Sequence, residues 1–204
     1  NQFQAIELNL NSLREGRIDE PDRVRRHAEK AAQGIESIDD AVRGFLKIAR
    51  LRPPTPRTIQ PNDVLHEIAR ELRTEAGMAG VRIELALHPA LPQTQVDPDM
   101  LRQAMMNVVR NSLQALAGSE GGVIRIRSAR AEGWLRITVE DDGPGIPPEL
   151  REKIFDPFFT TRKDGSGVGL ALVRQSIEMQ GGRATIESEE GRGTVVVLEL
   201  PWSP

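Results

Sequence analysis

Across residues 1–50, apolar positions recur at alternating intervals of three and four. Phe3, Ile6, Leu10 and Leu13 carry the rhythm up to Gly16, and Val24, Ala28, Ala31, Ile35, Ile38, Val42, Phe45 and Ala49 resume it after Asp19 and Pro21. This is a heptad seam, and it predicts two helices, with Asp19 and Pro21 suited to the start of the second. A lone hairpin has too little core to stand by itself, which two copies packed as a four-helix bundle would remedy. Arg52-Pro53-Pro54-Thr55-Pro56 cannot continue a helix and reads as a stiff hinge.

Beyond the hinge the period changes. Val64, Leu65, Ile68 and Leu72 predict a helix over 62–78, and Val81, Ile83, Leu85 and Leu87 alternate as a strand. A helix over about 98–116 begins near Asp97-Pro98, followed by strands around 123–129 and 134–140. A further helix ends at Gly181-Gly182, and strands over 183–188 and 194–200 close the chain. The expected fold class is α+β: a helical hairpin over 1–52, a linker over 53–60, and an α/β sandwich over 61–204 whose single sheet is covered by helices on one face.

Composition narrows the functions open to this chain. Among its 204 residues, Lys and Arg number 27 against 30 Asp and Glu, a net charge of −3 without a long basic run, so nucleic-acid binding has no electrostatic support. The absence of cysteine excludes a disulfide framework and suits a reducing, cytoplasmic setting. No apolar run is long enough to cross a bilayer, so this segment makes no membrane contact, whether or not a parent protein is anchored. Of the three histidines, His66 and His88 read as surface residues, and no pair has metal-ligand spacing. His27 flanks the seam and is followed by Ala28, without an adjacent acid.

The chemistry gathers in 141–170. Asp141 extends the alternation of Leu135, Ile137 and Val139, so its carboxylate should face the core, where a charge requires a partner such as the exocyclic amine of adenine. Gly143 and Gly145 let the backbone turn away and leave room for a flat base. Gly165, Gly167 and Gly169 run into the helical pattern Leu170, Val173, Ile177, which places bare N–H groups at a helix start where phosphate oxygens can meet them. On the 98–116 helix, Leu101, Met105, Val108, Ser112 and Ala115 form the predicted buried stripe, with Asn107 and Asn111 one turn apart beside it.

Taken together, Asp141-x-Gly143-x-Gly145, Phe155-Asp156-Pro157-Phe158-Phe159 and Gly165-x-Gly167-x-Gly169-Leu170 resemble the first glycine box, F box and second glycine box of the sensor histidine kinases, members of the gyrase-type ATPase superfamily. The resemblance covers nearly the whole chain. It is nearest the branch of nitrogen-regulation sensor kinases, whose F box is followed by a run like Thr160-Thr161-Arg162-Lys163. It implies that Asn107 and Asn111 form the N box, with Asn111 as the Mg²⁺ ligand, and that Phe155, Phe158 and Phe159 pack a lid over 147–166 that closes on ATP. Thr194, in Gly191-Arg192-Gly193-Thr194, matches a further box beside the adenine, or is an ordinary threonine at a strand start.

The resemblance further implies a homodimer through the hairpin, autophosphorylation of a histidine, and transfer to an aspartate of a response-regulator receiver domain, with phosphatase activity toward that regulator as an accompaniment. Asn1-Gln2-Phe3 falls where the family has Asn-Pro-Leu, which puts the phosphoacceptor about four residues, roughly one helical turn, upstream of Asn1. Hydrolytic relatives carry a glutamate at the place of Asn107 to activate water. An amide cannot accept that proton, which favours holding ATP intact. Many kinases have a basic residue where this chain has Gln114, leaving Arg110, Arg162 and Lys163 as candidates for the missing charge. The alternative reading is a nucleotide-binding pseudokinase that docks a partner through its hairpin.

Overall fold

A computed structural model describes residues 11, 25–32, 34–35, 46, 52–119, 121–162 and 165–202. Of the predicted seam, Ala28, Ala31 and Ile35 lie on helical residues, with Ala31 buried and Ile35 exposed. The rest of the hairpin seam, and Lys163 in the lid, lie outside the described residues.

The described domain is built from strands β1 (Arg57–Ile59), β2 (Arg82–Leu87), β3 (Thr94–Val96), β4 (Val123–Ala131), β5 (Trp134–Asp141), β6 (Arg183–Glu189) and β7 (Gly193–Pro201). Its helices are α1 (Pro61–Met78), α2 (Pro98–Ala115) and α3 (Gly169–Glu178). Five strands form a mixed sheet in the order β2-β4-β5-β7-β6; β2 and β4 run parallel and every other neighbour pair is antiparallel. A two-stranded sheet of β1 and β3 stands apart.

The helices form where apolar spacing and caps agree. In α1, Leu65, Ile68, Ala69, Leu72 and Ala76 are buried, a stripe of helical period; Pro61 opens the helix and the Gln60 side chain accepts from the Asn62 N–H. The chain leaves α1 through Gly80, whose φ of +70° is a left-handed turn that a glycine takes without strain. The buried faces of α1, α2 and α3 join Ile124, Ile126, Ile137, Val139, Leu198 and Leu200 from the sheet in one core. Each such side chain, fully removed from water, contributes roughly 1.5–3 kcal/mol, and Leu72→Ala alone would cost about 2–5 kcal/mol.

Asp97 ties the start of α2 to two distant parts of the chain. Its carboxylate caps the helix by accepting from the Asp99 and Met100 N–H groups at 3.0 and 3.1 Å. It also accepts from Arg52 Nη1 at 2.6 Å and from the Thr55 N–H at 2.7 Å, while the Asp97 N–H donates to Gln180 Oε1 beyond the end of α3 at 2.7 Å. Burial opposes its ionisation, yet the Thr55 and Arg52 bonds outweigh burial and hold the carboxyl well below the usual carboxylate range. The segment expected to be a plain hinge is therefore bonded to the domain, and Arg57–Ile59 adds a strand that three residues were too few to reveal by alternation.

Candidate nucleotide site

Asp141 ends β5 on the core side, 4% exposed, as the alternation of that strand requires. Ser112, on the buried face of α2, donates its hydroxyl to Asp141 Oδ2 at 2.7 Å, and the Gly143 N–H donates to Oδ1 at 3.1 Å. Burial pushes the Asp141 carboxyl above its ordinary value, against the pull of those two bonds. Gly143 sits behind this carboxylate: a Cβ there would lie 2.8 Å from Asp141 Oδ1.

In front of Asp141 opens a cleft of about 690 Å³. Asn107, Asn111, Asp141, Gly145 and Thr194 line it together with Thr160, Thr161, Arg162, Gly165, Gly167, Gly169 and Leu170. Ile146, Leu150, Ile154, Ile186 and Val196 add an apolar wall suited to a flat ring. The sequence-predicted residues thus gather in one cleft, apart from Gly143, which shapes it from behind, and Lys163.

Two glycines are fixed by close approach. Gly145 has φ +71° and a Cβ there would meet the Glu189 carbonyl oxygen at 2.1 Å. Gly167 has φ +65° and a Cβ would lie 2.4 Å from the Phe158 carbonyl carbon, with the Phe158 N–H donating to the Gly167 oxygen at 2.9 Å. That contact gathers the loop after two short 3₁₀ turns, Pro148–Leu150 and Lys153–Phe155. Phe155 is buried with Arg174 over its ring, and Phe159 packs against the core. Phe158 departs from the expected lid packing: it is 46% exposed and holds a left-handed φ of 69°. Ala115 departs likewise from the predicted stripe, being exposed at the cleft rather than buried.

The start of α3 has no side-chain cap, so its first N–H groups are open to an anion, and Gly169 stands against Asn111 closely enough that a Cβ would lie 3.6 Å from Asn111 Nδ2. Asn107 Nδ2 is buried without a hydrogen-bond partner, an orphaned donor on the cleft wall. Of the two described arginines on the wall, Arg110 lies 3.6 Å from Glu75, while Arg162 Nη1 donates to Gln114 Oε1.

Sequence reasoning missed Ser188. Its hydroxyl accepts from the Ile146 N–H at 2.8 Å and lies 3.1 Å from Thr194 Oγ1. Only its place opposite Thr194 in the β6–β7 register would have indicated it, and register is not readable from one strand.

The sequence profile of the histidine kinase-, DNA gyrase B- and HSP90-like ATPases matches residues 96–204, which contain Asn107, Asn111, Asp141 and the glycine clusters. The chain belongs to this ATPase family. Its relatives are sensor histidine kinases: the sensory histidine kinase/phosphatase NtrB of Escherichia coli O157:H7 is 37% identical over 154 residues, 69% of this chain and 44% of NtrB. The sensor histidine kinase ZraS of Salmonella typhimurium is 31% identical over 174 residues, 85% of this chain and 37% of ZraS. The chain thus spans less than half the length of these curated relatives.

The crystallised catalytic domain of the histidine kinase ThkA aligns at TM-score 0.65 and 30% identity over 74% of this chain and 97% of that domain. ThkA in complex with the response regulator protein TrrA aligns at TM-score 0.72 and 24% identity over 100% of this chain and 58% of that one, a likeness of fold. The ATPase domain described here is of the sensor histidine kinase kind, in a branch that includes nitrogen-regulation kinases.

Proposed function

We propose that this chain is the dimerisation and catalytic core of a two-component sensor histidine kinase, which binds Mg-ATP and phosphorylates a histidine about four residues, roughly one helical turn, upstream of Asn1. In this reading residues 1–52 form the hairpin that pairs two chains into a four-helix bundle, 53–60 link it to the catalytic domain at 61–204, and the segment works in the cytoplasm. The phosphoryl group passes onward to an aspartate of a response regulator. The same core, like the kinase/phosphatase NtrB by name, would remove it again.

One observation supports the reading most: the buried carboxylate of Asp141, the orphaned amide of Asn107 and the uncapped start of α3 converge on one cleft. A purine amine suits the first, and phosphate oxygens suit the other two. No group of three or more His, Cys, Asp or Glu residues that could cage a metal occurs among the described residues. Mg²⁺, which keeps most of its shell as water and phosphate oxygens, fits a single amide ligand from Asn111 and supplies charge neutralisation at the transferring phosphate. Asn107 orients without drawing a proton from water, so the nucleotide waits for imidazole. The imidazole lone pair forms the N–P bond as the bond from the γ-phosphorus to the bridging oxygen breaks and ADP departs.

The test is incubation of a longer chain, carrying the residues that precede Asn1, with γ-labelled ATP and Mg²⁺. Label retained in alkali and lost in acid supports phosphohistidine. Tight nucleotide binding without label would overturn the kinase reading in favour of a scaffold or pseudokinase.

A further inference from the structure

Helices α2 and α3 lie side by side in opposite directions. Asp97, at the start of α2, meets Gln180 just beyond the end of α3, and toward the other end Asn111 of α2 stands against Gly169, the first residue of α3. Only the first of these meetings is a bond. The Asp97 N–H donates to Gln180 Oε1 at 2.7 Å, whereas a Cβ on Gly169 would lie 3.6 Å from Asn111 Nδ2 and 3.7 Å from Oδ1, a van der Waals approach. The buried faces of the two helices are otherwise apolar but for Ser112, which gives its proton to Asp141, and Ser176, whose hydroxyl has no hydrogen-bond partner. Among the described residues, the Asp97–Gln180 bond is the one hydrogen bond joining the two helices and their caps.

Both sides of that bond are fixed. Asp97 is held to α2 because its carboxylate accepts from the Asp99 and Met100 N–H groups. Gln180 is held to α3 because its Nε2 donates to the Ser176 oxygen, one turn back, at 2.9 Å. The Gly181 and Gly182 N–H groups close the same helix end, donating to the Glu178 and Ile177 oxygens at 2.9 and 3.0 Å. The two partners also settle which way the Gln180 amide points, since a flipped amide would lose both bonds. Apolar helix faces offer several near-equal registers, and one directional polar contact singles out one of them.

We propose that Gln180 is a positioning residue for the phosphate end of the cleft: by pinning the end of α3 to the start of α2, it sets where the uncapped N–H groups at the start of α3 stand relative to Asn111. The helix between is ten residues, about 15 Å, and stiff along its axis, so a slip at Gln180 arrives undiminished at Gly169. Asp141 sits on β5 and takes no part in that register. Gln180 does not line the cleft, so it acts through α3. The proposal rests on the ATP reading and extends it to the far end of the helix pair.

The test compares ATP with Mg²⁺ against adenosine, the latter by displacement of bound ATP, on one sample of each variant, so that the affinity ratio is independent of the folded fraction. Gln180→Met keeps the length of the side chain and removes both hydrogen bonds. Its ATP affinity should fall about tenfold, the worth of one N–H bond to phosphate, with adenosine changed less than about twofold. Asp97→Asn weakens the cap but retains the N–H that Gln180 accepts, so it should lower thermal stability and hold the wild-type ratio. An unchanged ratio in Gln180→Met, or a fall of the same size in Asp97→Asn, would overturn the pin while leaving ATP binding in place. A wild-type chain that binds ATP no better than adenosine would overturn the phosphate reading of α3, and one that binds neither would overturn the ATP reading itself; the proposal falls with either.

Discussion

Ser112 gives its hydroxyl proton to Asp141 Oδ2 across 2.7 Å, joining the last turn of α2 to the end of β5 beside the cleft. This bond stabilises the charged carboxylate against burial, which pushes the Asp141 carboxyl up. An acid whose folded value is raised favours the fold when protonated, so its contribution to stability is present at low pH and lost as pH rises through that value. Binding runs the other way, since the ionised form is the stronger acceptor for an amine. ATP affinity should fall as pH drops through the raised value, and Ser112→Ala should move the midpoint of that fall upward. Asp141→Asn should weaken ATP by roughly 10- to 100-fold at neutral pH. Titration calorimetry across pH tests both; a midpoint unmoved by Ser112→Ala would contradict the assignment.

Asp97 offers a stability test away from the cleft. Asp97→Ala would remove a helix cap and leave the Thr55, Asp99 and Met100 N–H groups without their acceptor, a loss of about 3 kcal/mol in denaturant unfolding. Arg52→Ala should cost less, because the carboxylate keeps its other donors. The sign with pH is opposite to that of Asp141: the lowered value means its contribution is full above the ordinary 3.8 and is lost as pH falls below it. Wild type should thus lose stability in acid faster than Asp97→Asn, and parallel acid-unfolding curves would count against this.

Glycine substitutions separate backbone strain from close packing. Gly191 has φ +79° with open space around it, so Gly191→Ala should cost only about 1 kcal/mol for the left-handed conformation. At Gly145 and Gly193 a Cβ would press on the Glu189 and Asp141 carbonyl oxygens at 2.1 and 2.0 Å. Alanine at either should cost several times more and weaken ATP binding, as thermal unfolding and nucleotide titration would show. Equal costs at all three positions would refute the packing argument.

Arg162 reaches across the mouth of the cleft to Gln114, whereas Arg110 turns toward Glu75. If Arg162 faces the terminal phosphate, Arg162→Ala should lower the affinity for ATP about tenfold more than that for ADP. Equal losses for the two nucleotides would place its role elsewhere.

Much of this domain was legible because its signals are local. The alternation through Leu135, Ile137 and Val139 placed Asp141 inside, and Asp97-Pro98 marked where α2 starts to within about a residue. What escaped depends on contacts between segments distant in sequence. Ser188 matters only through its register against Thr194, and β1 is visible only by its pairing with Thr94–Val96. The exposure of Phe158 goes with a backbone turn held by Gly167, nine positions further on, a distance that no periodicity spans. The stripe reading failed at Ala115 because helical period says which face a residue shares but not where the covering neighbour stops.

The most direct test of the central claim is a titration of this chain with ATP and Mg²⁺, followed by recovery of the bound nucleotide. The cleft described here predicts one ATP per chain, binding that weakens on removal of Mg²⁺ or in Asn111→Ala, and nucleotide recovered intact because Asn107 cannot activate water. Absence of binding, or steady phosphate release from the isolated chain, would contradict the account.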